Sequence, residues 1–78
     1  MRQEIGRVYK ITNEASKRNE ATYYVCMGIV DALHGDFVDE YYADAYNIRW
    51  DHLEEADIKK VDEDILETLI MRVFGDAG

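Results

Sequence analysis

The chain contains no proline, one cysteine, one serine, two histidines and five glycines that never cluster. Each shortage excludes something. Scattered glycines (6, 28, 35, 75 and 78) cannot build a phosphate-cradling loop. Cys26 has no partner for an internal disulfide and lies in the apolar stretch from Tyr23 to Val30, where a buried, inert thiol is expected. His34 and His52 fall outside any spacing that closes a metal coordination shell. Ser16 lacks the glycine elbow that presents a nucleophile. A calcium loop starting at Asp36 is broken by Val38 at its third position and Tyr41 at its sixth. These shortages predict a protein that is not an enzyme and carries no metal or cofactor. No apolar run approaches the ~18 residues needed to cross a bilayer. The charged start, Met1 to Glu4, is followed by no signal-peptide core, which predicts a cytoplasmic protein of the cell in which it acts. With no repeats, linkers or low-complexity segments, residues 1–78 are expected to form one acidic domain.

Positive charge is also scarce. Seventeen acidic residues face nine Lys and Arg, for a net charge of −8. Asp31 to Glu67 alone holds thirteen acids against Arg49, Lys59 and Lys60. Such crowding opposes compaction and points either to solubility or to a cationic partner. It also repels nucleic acid and anionic lipid, so direct binding to either is disfavoured. A hydrophobic content of 47% excludes a disordered acidic tail. Seventy-eight residues bury only a modest core, and a second copy of the chain in a homodimer would add to it.

The pattern predicts an α+β domain: a small antiparallel sheet of three to four strands with a C-terminal helix packed on one face. Glu4 to Thr12 is expected as a first strand with Ile5, Tyr9 and Ile11 on one face. A polar connection over 13–21 leads to a second strand at Thr22 to Val30, although Val25, Cys26, Ile29 and Leu33 also fit helical spacing. Asp31 to Asp36 is expected as a turn. Phe37 to Tyr46 fits either a strand or a helix capped by Asp36, with the strand preferred. Ile48 and Trp50 would extend the sheet, and Asp51 would cap a short helical turn through Leu53 and Ala56. The best-defined element follows: Asp62 as N-cap, Val61 and Leu66 as a staple, an apolar stripe of Ile65, Leu66, Leu69, Ile70 and Val73, and Gly75 as the stop.

One region suggests binding. Asp36, Asp39, Glu40, Asp44, Asp51, Glu54, Glu55 and Asp57 are interleaved with aromatics that include Tyr42 and Tyr46. These ten residues are the expected partner-binding set. Tyrosine supplies contact area with few rotatable bonds, and carboxylates select a basic protein partner. Carboxylates two apart on a strand or three to four apart on a helix stand roughly 5 to 7 Å from one another, similar to the charge repeat of a nucleic-acid strand. The chain is therefore expected to inhibit a nucleic-acid-binding protein by mimicry, with aromatic side chains where bases would stack. In size, charge and poverty of catalytic groups it resembles the small acidic inhibitors of phages and mobile elements, such as anti-CRISPR and anti-restriction proteins. That resemblance is compositional and carries no aligned residue. The alternative is a protein-interaction adaptor or homodimeric subunit whose acidity serves solubility alone.

Overall fold

The computed structural model describes residues 1–75. Five strands, Val8–Ile11 (β1), Tyr23–Ile29 (β2), His34–Val38 (β3), Tyr46–Arg49 (β4) and Leu53–Glu55 (β5), form one sheet. The order is β4-β3-β2-β1-β5, with every neighbouring pair antiparallel. A single α-helix, Glu63–Phe74 (α1), follows. The architecture is the expected α+β, with five strands where three to four were predicted.

The extra strand lies at β5. Asp51 does not start a helical turn through Leu53 and Ala56; Trp50–His52 is a 3-10 turn and Leu53–Glu55 pairs with β1. Leu53 opposite Ile11 buries both side chains in one cluster, a gain that a solvent-facing helical turn does not offer. Consecutive strands β4 and β5 thus occupy the two opposite edges of the sheet, joined by only three residues. A flat five-stranded sheet would separate its edges by roughly 19 Å, and one 3-10 turn advances only about 6 Å. The sheet must therefore curl at that end.

Curling encloses the first core cluster, in which Tyr9, Tyr24, Cys26, Phe37, Ile48 and Trp50 meet. Tyr9, Phe37 and Trp50 pack edge to face, with ring centroids 5.1 to 5.7 Å apart. Gly35 is a strand residue in this cluster, not part of the turn expected over 31–36: a Cβ there would lie 2.6 Å from Trp50 Cζ2 and 2.8 Å from Phe37 Cε1. Trp50 likewise leaves the strand that was expected to continue through it and enters the 3-10 turn. The opposite face carries a second cluster of Val8, Val25, Val38 and Leu69, flanked by Ile65, Leu66 and Val73 of α1. Both faces of β2 are buried over Tyr24, Val25 and Cys26, which is why this strand reads as a near-continuous apolar run.

Two further boundaries differ from the sequence reading. The first strand starts at Val8, because Gly6 turns the chain at φ 86° and leaves Ile5 exposed. Residues 39–45 are neither strand nor helix. The C-terminal helix has the expected limits: the Asp62 side chain accepts from Asp64 N at 2.8 Å, and Gly75 N donates to Met71 O at the other end.

Candidate partner-binding site

Residues 39–45 carry no regular structure because one side chain dictates their course. Asp39 is completely buried, the one buried carboxylate among the described residues. Its Oδ1 accepts from the backbone N–H groups of Tyr41 at 2.7 Å and Tyr42 at 2.9 Å, folding the chain back immediately after β3. Its Oδ2 accepts from Asn19 Nδ2 at 3.1 Å and from the Tyr46 hydroxyl. Burial alone would push the Asp39 carboxyl up. The hydrogen bonds from Tyr46, Asn19, Tyr42 and Tyr41 outweigh it and hold the group below its ordinary value, so Asp39 is ionised at neutral pH. The partner tyrosine moves the other way: burial, then the hydrogen bond to Asp39 and its charge, raise Tyr46 well above an ordinary phenol.

Asp39 thus joins three segments: the loop it begins, β4 through Tyr46, and the β1–β2 connection through Asn19. That connection is bent sharply, with positive φ at both Asn19 (52°) and Glu20 (64°). It is pinned by the buried Tyr24, whose hydroxyl accepts from Arg18 N at 2.9 Å and donates to Ala21 O at 2.6 Å. Helix α1 braces the other side, since Arg72 donates to the carbonyls of Asp39 and Glu40 at 3.2 and 3.0 Å. Held in this way, Tyr41 and Tyr42 point outward, 54% and 57% exposed, and line one shallow depression with Asn19 and Glu20.

The ten residues expected to bind a partner do not form one face. Glu40 and Asp44 flank the two exposed tyrosines in sequence and carry no ion pair among the described residues. Tyr42 belongs to the same surface. Asp39 and Tyr46 do not: Asp39 is fully buried, and Tyr46 is partly buried beneath the Arg18 guanidinium and against the Tyr24 ring. They hold the loop from beneath. Asp36 lies on β3 and accepts from the Asn47 side chain. Asp51 is clasped by both arms of Arg49 at 2.9 Å, and Glu55 by Arg7 at 3.1 Å. Glu54 is in register with Lys10, while Asp57 caps the 3-10 turn Ile58–Lys60 through Lys59 N. Basic groups therefore interrupt the acids near β5, and the aromatic character expected there is spent on the core.

Tyr41, Asn19 and Glu20 were absent from the expected set. Asn19 carried a weak signal, because asparagine tolerates the left-handed region; Glu20 carried none. The fold also brings Ser16 Oγ to His52 Nδ1 across 36 residues of sequence. Asp51 Oδ1 is 3.7 Å from His52 Nε2, too long to orient the ring, and the Ser16 and Lys17 amides are already bonded to the carbonyls of Asn13 and Glu14. No protein-family model, curated protein or solved structure matches this chain. Among the described residues no helix is long and apolar enough to cross a membrane.

Proposed function

We propose that the protein is a non-enzymatic binding protein that engages the basic surface of a nucleic-acid-binding partner and blocks it by competition. The contact surface is the 39–45 loop, where Tyr41 and Tyr42 stand between Glu40 and Asp44 with Glu20 beside them. One observation carries this reading: a fully buried, fourfold hydrogen-bonded carboxylate holds two large aromatic side chains in solvent. Folding gains nothing from exposing them, whereas a pre-ordered tyrosine pair ringed by carboxylates suits an Arg- and Lys-rich surface. The net charge of −8 adds long-range attraction to such a partner. Mimicry in this reading rests on this compact site and not on a long acidic stripe.

The test is capture from host lysate with elution in salt steps, with and without excess duplex DNA or RNA. Competition demands a basic partner displaced by salt and by nucleic acid. A salt-resistant partner indifferent to nucleic acid supports the second reading, an adaptor or homodimeric subunit. The observation favouring that reading is apolar: Ile5, Ile58 and Phe74 are all more than half exposed and line one depression.

A further inference from the structure

The deepest contrast with the acidic composition lies on another part of the surface. A cleft of about 530 Å³ opens between the 15–18 segment, β4 and the Trp50–His52 turn. Seventeen of the 78 residues are Asp or Glu, yet among the described residues none of them lines it. Both histidines do, together with Lys17, Arg18 and Arg49. Ser16 and Asn47 line it too, with Ser16 Oγ bonded to His52 Nδ1 and the Asn47 amide donating to Asp36.

The cations are held by acids placed outside the lining. Asp51 grips Arg49 through both arms, Asp31 Oδ1 is 3.1 Å from His34 Nδ1, and Glu14 is 3.7 Å from Lys17 Nζ. Arg18 is different. Its guanidinium is 5.3 Å from the Tyr46 ring centroid, and no carboxylate lies within 4.0 Å of it among the described residues. A guanidinium with no acid at contact distance, in a protein of net charge −8, keeps its forked donors available to an anion.

We infer that this cleft is a binding site for a small phosphate-bearing molecule. Lysine, arginine and histidine side chains line it from three separate segments of chain, which matches an anion with several oxygens in different directions better than a two-oxygen carboxylate. The volume is that of a small-molecule site. The inference is independent of the 39–45 loop, which contributes no residue to the cleft.

Titration of the ¹⁵N-labelled protein with inorganic pyrophosphate tests it, with citrate as a polycarboxylate comparator. Saturable shifts confined to residues 15–18, 34, 47–49 and 52 are expected, with citrate weaker. Lys17→Ala/Arg18→Ala should weaken pyrophosphate binding about tenfold or more, whereas Lys59→Ala/Lys60→Ala, of equal charge change, should leave it unaltered. Unchanged amide dispersion establishes that each variant is folded. Absence of saturation, equal binding of citrate, or equal weakening by the two double variants would overturn the inference.

Discussion

Asp39 shows how far a residue's role depends on its surroundings. In sequence it is one acid among many; in the fold it is a structural anion with four donors. Asp39→Asn places an amide N–H₂ against groups that now donate, and should lower stability by about 2 kcal/mol, read as a reduced thermal midpoint. The pH dependence has a definite sign. Because the folded carboxyl sits below its ordinary value, its contribution is complete above the unfolded pKa of about 4 and disappears as pH falls through the folded value. The midpoint difference between the wild type and Asp39→Asn should therefore be full at pH 7 and shrink at pH 3. A difference that stays constant would show that the carboxylate's charge is not what the loop requires. Gly35 is a second position where one atom matters. Gly35→Ala drives a methyl group into Trp50 and Phe37 and should cost about 1 to 3 kcal/mol by chemical denaturation.

At the scale of elements, α1 was the most legible. Its N-cap, stripe and terminal glycine are local signals, and the helix begins and ends where they place it. Leu69 is completely buried against Val8, Val25 and Val38, so Leu69→Ala should cost about 2 to 5 kcal/mol, measured by urea unfolding. A silent substitution would mean that the helix does not cover this face. The short strands were harder to read. β5 is three residues long, and Leu53 becomes a strand residue only because Ile11 lies opposite. Gly35 looked like a turn residue because glycine marks turns, but here it makes room for an indole from a segment 15 positions away. The 39–45 loop had no periodicity to find, since its path follows hydrogen bonds to a buried side chain. Tyr42, Glu40 and Asp44 stood out from chemistry alone and lie on the surface of the loop; Asp39 and Tyr46 stood out with them, yet they bond to each other beneath it.

For the whole molecule, folding sorts the charge. Arg49, Arg7 and Lys10 interleave with acids near β5, whereas Glu40 and Asp44 remain unpaired beside two exposed tyrosines. Net charge and local site are then separable experimentally. Glu40→Lys/Asp44→Lys and Glu63→Lys/Glu67→Lys change the net charge equally, and all four positions lie outside the buried core. The most direct measurement compares capture of the proposed basic partner by the wild type and these two variants at one salt concentration, after thermal unfolding has established that both are folded. The loop variant should lose capture almost completely, and the helix variant should lose only the modest share that long-range attraction supplies. Equal losses would reduce the interaction to net charge, and retention by the loop variant would remove residues 39–45 from the contact altogether.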